Sequence, residues 1–278
     1  MQVSAAVKAL HTFMGRAQRL LVVTGAGVST DSGIPDYRSK GRPAYNPIQH
    51  GDFVASEATR RRYWARSMAG FQKMSTVKPN PTHQVLARLE AAGRIGHIIT
   101  QNVDRLHQSA GSRNVLELHG TIHTAECLSC GQRVPRGALQ RRLLERNASL
   151  MGQGVGMQRP DGDVELADEI AERFQVAPCH TCGGILKPSV VFFGGTLRAE
   201  VAIESKRLVE EADAVLAVGT SLSTFSAFRL FRAANEQGKP IAILNDGPTR
   251  ADGIAALKIE ERCAPTLLGA EEALNAPR

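Results

Sequence analysis

The chain has 278 residues, 42% apolar and 22% charged, enough for one large domain or two smaller ones with a real core. With 26 Gly and 13 Pro it is neither collagen-like nor disordered, and its apolar runs stop far short of the ~18 residues that read as a membrane span. The 34 Lys and Arg against 27 Asp and Glu leave a formal charge of +7, which favours anionic ligands without specifying nucleic acid.

Residues 1–20 hold a few bases and alternate apolar with polar side chains, without the unbroken apolar core and cleavage site of a secretory signal. Cytoplasmic residence in a bacterium is the expectation, with the mitochondrial matrix as the alternative. Short β-rich runs follow, each passing through a polar or Gly-rich turn into a helical pattern, the sequence form of a parallel α/β sheet. Leu20–Thr24 leads into Gly25-Ala-Gly27, 96–100 into Gln101-Asn-Val-Asp104, 115–118 into His119-Gly120, Ala214–Val218 into Gly219-Thr-Ser221, and Ile241–Leu244 into Asn245-Asp-Gly247. An open sheet binds ligands outside the carboxyl ends of its strands, so topology brings these five loops to one crevice.

Two regions break the rhythm. Residues 41–82 carry Pro43, Pro47, Pro79 and Pro81 around a basic helical stretch at 59–73 and read as a helical insertion rather than part of the sheet. Residues 123–188 hold two cysteine pairs and, between them, a Gly-, Met- and Gln-rich segment at 151–163 without hydrophobic periodicity, expected as a mobile loop. The expected fold is α/β, a Rossmann-like parallel-sheet domain from 1–40, 83–122 and 189–278 with a smaller four-cysteine zinc-ribbon module at 123–188.

The stretch Gly25-Ala-Gly-Val-Ser-Thr-Asp-Ser-Gly-Ile-Pro-Asp-Tyr-Arg38 follows a strand and is placed to open a helix, where glycines let backbone amides approach a phosphate. Thr30 stands where Gly-x-Gly-x-x-Gly needs its third glycine, which disfavours an ordinary dehydrogenase. Spacing alone fits a structural glycine turn as well as a phosphate site; the tail Asp36-Tyr37-Arg38 favours the latter. Cys127-x-x-Cys130 and Cys179-x-x-Cys182 are each followed by glycine, Gly131 and Gly183, which suits the knuckle that presents two thiolates to a tetrahedral Zn²⁺. A closed site of four cysteines leaves no coordination position for water or substrate, so this zinc is structural. A redox Cys-x-x-Cys is the alternative and needs a pair at the start of a helix. The 48 residues between the pairs exceed the ~15–20 of a compact ribbon, as expected if the loop is inserted within it. His119, at a strand end beside Gly120, suits a general base near neutral pH. A satisfied structural histidine is the other reading, and His107 and His123 compete for the role.

Gly25-Ala-Gly27 through Arg38, Thr100-Gln-Asn-Val-Asp-Arg-Leu-His107, Glu117-Leu-His-Gly120, the two cysteine pairs, Lys187-Pro-Ser-Val-Val-Phe-Phe-Gly194 and Gly219-Thr-Ser-Leu222 together resemble the sirtuins, in order and spacing, over residues 10–268. Pro35-Asp-Tyr-Arg38, Gln49-His-Gly-Asp-Phe53, Arg62-Tyr-Trp-Ala-Arg66 and Ile243-Leu-Asn-Asp-Gly-Pro-Thr-Arg250 look like the class II branch, whose known animal member is mitochondrial.

The resemblance implies NAD-dependent removal of an acyl group from lysine, giving nicotinamide, free lysine and O-acyl-ADP-ribose. The acyl oxygen would attack C1′ of the nicotinamide ribose, and His119 would deprotonate a ribose hydroxyl that then attacks the resulting imidate. Asn102 and Asp104 would line the nicotinamide pocket and Gln101 would meet the ribose, with Asn102 counted beside His119 as catalytic. Gly25, Ala26, Gly27 and Arg38 would hold the diphosphate side, with Ser32, Ile34, Pro35, Asp36, Tyr37, Tyr45 and Val103 in the same cofactor site. Gly219, Thr220 and Ser221 would add donors; Asn245, Asp246 and Gly247 would reach the adenosine ribose; Cys263 would line the adenine pocket. Substrate peptide would add as a strand between 193–196 and 223–225, with Val191 and Phe193 near the acyl group. Gly195 stands where an acidic residue is usual and Ser226 where proline is usual, a departure from the ordinary deacetylase pattern. Tyr63 and Arg66 lie three apart on the helical insertion and resemble the pair that reads acidic acyl groups, Arg pairing bidentately with a carboxylate; beside Arg60, Arg61 and Arg62 they also read as a solvated basic face. The partners implied are acyl-lysine proteins or peptides, with no specific nucleic acid, no membrane and a monomeric state. Two other readings stand beside this one: mono-ADP-ribosyl transfer from the same NAD site, separated by product analysis, and a zinc-containing nucleic-acid binder, whose affinity would fall steeply with salt.

Overall fold

The computed structural model describes residues 4–36, 47–150, 163–164 and 166–276; of the loop expected at 151–163, all but Asp163 lies outside them. Its strands are β1 (Leu20–Thr24), β2 (His97–Thr100), β3 (Val115–Glu117), β4 (Gly120–Cys127), β5 (Arg133–Pro135), β6 (Leu186–Val190), β7 (Ala214–Val218), β8 (Ile241–Leu244) and β9 (Leu257–Ile259). Its helices are α1 (Ala5–Arg16), α2 (His50–Ala55), α3 (Glu57–Met74), α4 (Pro81–Ala91), α5 (Leu106–Ser109), α6 (Arg136–Arg146), α7 (Asp168–Arg173), α8 (Ala199–Glu211), α9 (Phe225–Glu236) and α10 (Cys263–Asn275). The chain divides into two compact units, Met1–Ser32 with Lys78–Leu118 and Leu197–Arg278, and Gly33–Val77 with His119–Thr196.

The first unit is built on one sheet of order β3-β2-β1-β7-β8-β9 in which every pair is parallel. The five expected strands are all there. The sixth, β9, is a three-residue edge strand with a central lysine, too short for an apolar run to show. Side chains alternate across the sheet: Leu20 and Val22 pack with Leu10, Met14, Leu86 and Leu267 of α1, α4 and α10, while Leu21 and Val23 pack with Leu208, Val209, Leu230 and Phe231 of α8 and α9. Because both faces are covered, the central strands β1 and β7 are buried along their whole length. Helix starts follow local chemistry: Ser4 Oγ accepts the Val7 N–H at 3.2 Å, and α4 opens on Asn80 with Pro81 at its first position. The strand order reverses between β1 and β7, the point outside whose carboxyl ends a doubly wound sheet holds its ligand.

The second unit combines the antiparallel sheet β5-β4-β6 with α2, α3, α6 and α7 around Phe53, Trp64, Leu139, Leu143, Phe174 and Leu186. The helix expected at 59–73 is α3, extended at its start to the Ser56 cap, whose Oγ accepts from Thr59 N–H at 3.2 Å. Trp64 Nε1 donates to the Leu186 carbonyl at 3.1 Å. Arg136 of α6 is buried, its guanidinium 4.3 Å from the Phe71 ring and bonded to the Ser67 carbonyl at 3.1 Å, so α6 is fastened to α3 by a satisfied charge.

Candidate active site

The loops that leave β1 and β7 abut. Gly27 N–H donates to the Gly219 carbonyl at 2.9 Å, and a Cβ on Gly27 would lie 2.7 Å from that oxygen, as one on Gly25 would from Thr220 Cβ. Gly219 itself has φ +56°. Neither loop tolerates a side chain at the contact, and both backbones stay open to a ligand. The segment after Gly25 forms two short 3-10 turns, Ala26–Val28 and Thr30–Ser32, where the sequence reading expected the start of a helix. Gly33 at φ +87° and Pro35 end the second turn, so any anion would be met by turn amides and not by a helix end.

Into this contact the β2 loop brings its polar side chains. Gln101 Nε2 donates to Thr220 Oγ1 at 2.8 Å and to the Thr24 carbonyl at 3.2 Å. Asn102 Nδ2 donates at 3.0 Å both to the Gly25 carbonyl and to Ser29 Oγ. Ser29 Oγ in turn donates to Asp104 Oδ2 at 2.8 Å, whose other oxygen accepts Leu106 N–H at 2.9 Å. Gln101, Asn102 and Asp104 are therefore aimed by one connected network. Among the described residues, the non-glycine positions with left-handed backbone are Arg105 (φ 61°) and Leu222 (φ 53°). They stand in the loops after β2 and β7, and such strain collects at functional sites.

Beneath the network lie two histidines. His83 Nδ1 accepts Asn80 N–H at 3.4 Å, which puts the proton on Nε2, 3.5 Å from Ser29 Oγ. His107 Nε2 is 2.9 Å from Thr24 Oγ1, and the two rings sit edge to face with centroids 4.9 Å apart. His107 is thus a core residue. Ser29 and His83 escaped the sequence reading; the signal for His83 was the Asn80-Pro-Thr-His83 capping box. Burial holds His83 down to about 4, and burial reinforced by His83 holds His107 down to about 3. Both values fall below the ~6.5 of an unfolded histidine, so below that pH the unfolded chain takes up protons that the native one refuses. Stability is expected to be unaffected above pH 6.5 and to fall on acidification by about 1.4 kcal/mol per pH unit for each histidine. Thermal melts between pH 7.5 and 5 check this: His107→Gln flattens the slope, and an equal slope in the variant would contradict it.

The remaining expected positions scatter. Ser32 Oγ accepts from Asn80 Nδ2 at 3.0 Å, and Val103 is half-buried. Ser221 Oγ is 2.8 Å from Ser223 Oγ. Asn245 Nδ2 closes a turn onto the Gly247 carbonyl at 3.0 Å, which also accepts from Lys258 Nζ at 2.7 Å; Asp246 is exposed. Cys263 opens α10 with Sγ 3.9 Å from the Leu244 carbonyl. Ile34 and Pro35 are buried and Asp36 half-buried at the start of the second unit. Tyr37, Arg38 and Tyr45 lie outside the described residues.

In the second unit His119 is half-buried, its carbonyl accepting Val191 N–H at 2.9 Å. Gly120 has φ +76°, and a Cβ there would lie 1.9 Å from the Ser189 carbonyl oxygen. The histidine is thereby clamped to the end of β6. Val191 is half-buried, and Phe193 is 48% exposed and bridges to Gln49. Tyr63 is buried against Phe53, Trp64 and Phe192, with ring centroids 5.1–5.5 Å away. Arg66 is half-buried and its Nε is buried without a hydrogen-bond partner. Arg60 instead caps α2 through the Phe53 and Val54 carbonyls, Arg61 pairs with Glu57, and Arg62 faces solvent. Tyr63 and Arg66 therefore stand apart from that solvated face.

The four sulfurs of Cys127, Cys130, Cys179 and Cys182 lie within 4.8 Å of one another, with Cys127–Cys182 at 3.5 Å and Cys130–Cys179 at 3.8 Å. A tetrahedral ion with Zn–S bonds of ~2.3 Å requires sulfurs about 3.8 Å apart, so the donor set fits. Each knuckle closes through its glycine, Gly131 N–H on the Cys127 carbonyl at 3.0 Å and Gly183 N–H on that of Cys179 at 2.9 Å, both glycines at positive φ. Neither pair opens a helix, as a redox motif would require. The intervening residues hold α6 and α7, which the sequence reading did not locate.

Comparison with known proteins agrees. The Sir2 family profile matches residues 25–226. An NAD-dependent protein deacylase of Monosiga brevicollis, SIR4, is 48% identical over 91% of this chain and 83% of its own, and the human mitochondrial NAD-dependent protein lipoamidase sirtuin-4 is 48% identical over 94% of this chain and 84% of its own. A solved Sir2–p53 peptide–NAD+ structure superimposes with a TM-score of 0.77 at 29% identity, covering 96% of this chain and 98% of the other. With a family profile that runs unbroken from the β1 loop to the start of α9, and relatives this similar over nearly the whole length, the chain belongs to the Sir2 family.

Proposed function

We propose that the protein is an NAD-dependent protein-lysine deacylase of the class II sirtuin type, releasing nicotinamide and O-acyl-ADP-ribose. The observation that carries this reading is the network that joins Gln101, Asn102 and Asp104 to Gly25, Ser29 and Thr220 at the switch point of a parallel sheet, where a dinucleotide belongs. In this reading residues 1–40, 83–122 and 189–278 form the NAD-binding domain, 41–82 supply the cofactor loop and helical insertion, and 123–188 form the zinc module. Asn102 and Asp104 receive the nicotinamide amide, and the Gly25–Gly27 turn receives the diphosphate. The acyl oxygen of the substrate lysine displaces nicotinamide at the ribose, and His119 accepts the proton from the ribose hydroxyl that next attacks the acyl carbon. Cys127, Cys130, Cys179 and Cys182 hold one structural Zn²⁺. Cytoplasmic residence in a bacterium remains the reading, supported by bacterial relatives such as the Bradyrhizobium NAD-dependent protein deacetylase 2, with the mitochondrial matrix as the alternative that the human mitochondrial sirtuin-4 supports.

Acyl choice rests on Tyr63 and Arg66. Arg66, half-buried with an unpartnered Nε, follows the buried Tyr63 by three residues on α3, which supports a role in receiving a carboxylate. Purified protein given NAD and acetyl-, succinyl-, glutaryl-, hydroxymethylglutaryl- and lipoyl-lysine peptides is expected to release nicotinamide and deacylated peptide in equal amounts. Arg66→Ala is expected to lower kcat/KM on the carboxylated acyl groups at least about tenfold relative to acetyl. Equal losses on all acyl groups would make Arg66 structural, and ADP-ribose appearing on protein without acyl loss would overturn the deacylase reading.

A further inference from the structure

The first residue of α9, Phe225, is 56% exposed, and it does not stand alone. The guanidinium of Arg250 lies 4.5 Å from the Phe228 ring centroid and 6.0 Å from that of Phe225, and the guanidinium of Arg232 lies 5.8 Å from Phe225. Phe225, Phe228, Arg229 and Arg232 recur at helical spacing on one face of α9. Arg250 reaches that face from the loop after β8, held there by its own N–H on the Ser221 carbonyl at 2.9 Å. Among the described residues Arg250 and Arg229 have no ion-pair partner. The acid nearest Arg250 in sequence, Asp252, already serves Thr249 N–H at 3.1 Å and Lys258 Nζ at 3.1 Å, and Glu236 is taken by Arg232 at 3.4 Å.

The result is an aromatic platform on which Arg250 and Arg229 carry charges that no acid among the described residues pairs, while Arg232 is paired with Glu236. An arginine stacked on rings has already lost most of its rotamer freedom, so a carboxylate that meets it bidentately costs little further ordering. We infer that this face binds an acidic stretch of the substrate polypeptide flanking the acyl-lysine, which makes the enzyme selective for acyl-lysines in acidic sequence. The inference rests on the deacylase reading, which runs the substrate strand along 223–225, immediately before the platform. Charge complementarity decides the occupant: a basic flank would meet the unpaired Arg250 and Arg229 as like charges.

The test is a peptide series with one fixed acyl-lysine and Ala, Asp or Lys at each of the three positions on either side. At least one position is expected to show kcat/KM for Asp above that for Ala by about fivefold, with Lys below Ala, and the preference is expected to shrink as salt shortens the ~8–10 Å screening length of physiological buffer. In Arg250→Ala the Asp-to-Ala ratio falls toward one, and Arg250→Lys, which keeps the charge but not the planar fork, recovers part of it. Melting temperature is followed for both variants. A wild-type ratio near one at every position, or a ratio that Arg250→Ala leaves intact, overturns the inference while the deacylase reading stands. Absence of NAD-dependent turnover on the whole series sinks the deacylase reading itself.

Discussion

His119→Ala is expected to lower kcat for NAD-dependent deacylation by at least about a hundredfold, with the melting temperature moved by no more than a few degrees. The size follows from the chemistry: a positioned general base contributes roughly 10²–10⁴, and neither histidine beneath the β2 loop can take over, since His107 and His83 are core residues held neutral by burial. The small effect on stability follows from the packing. His119 is half-buried and absent from the apolar clusters, while its backbone is held independently of its side chain, by Val191 N–H on its carbonyl and by the tight approach of Gly120 to Ser189. Nicotinamide release and deacylated peptide are measured together with exchange of labelled nicotinamide into NAD. Because the base acts after nicotinamide leaves, exchange survives in the variant while deacylation is lost. Loss of both by the same factor would place His119 in binding, and deacylation within tenfold of wild type would remove it from the mechanism.

The sheet was legible because its strands are covered on both faces. Leu20–Thr24 and Ala214–Val218 have every residue buried, and a run of that kind followed by Gly admits few other readings. The edge strand β9 has only three residues, and its lysine turns back to the Gly247 carbonyl, so hydrophobicity could not reveal it. The loop after β1 was misread in one respect for a related reason. Its glycines do mark a close backbone contact, but the contact is with Gly219, far along the chain and invisible to any local reading, and the turns that follow are too short to make a helix.

At the site, the motif residues could be named from sequence but not their supports. Ser29 accepts from Asn102 and donates to Asp104, and His83 stands behind it; nothing in their spacing announces that a serine two residues past Gly27 and a histidine at the third position of α4 share one network. The basic stretch Arg60-Arg-Arg62 shows the same limit. Its three arginines read alike in sequence, yet one caps a helix, one pairs with Glu57 and one faces solvent. Arg66, one turn further on, keeps a buried nitrogen without a partner, and helical periodicity alone does not separate it from them.

Cys179→Ser is expected to remove the metal and unfold the zinc module, lowering the melting temperature by more than about 10 °C. Cys127 and Cys179 are buried members of the same cluster as Phe174, Ala177 and Leu186, so the ion would sit where β4, the β6 entry and the chain after α7 meet. Structural zinc contributes folding free energy of about 10–16 kcal/mol in isolated fingers, and in a chain of this size even a few kcal/mol shifts melting by roughly 10 °C. Loss of the ion would also leave the buried Cys127 sulfur without its partner. Cys263→Ser is the control, since that thiol opens α10 and belongs to no cysteine cluster among the described residues. Elemental analysis is expected to give one zinc per wild-type and Cys263→Ser chain and none for Cys179→Ser, and a strong chelator added to wild type should reproduce the lowered melt. A metal-free wild-type protein that melts at the same temperature with and without added zinc would show that the four sulfurs stand together without an ion, held by the Gly131 and Gly183 turns alone.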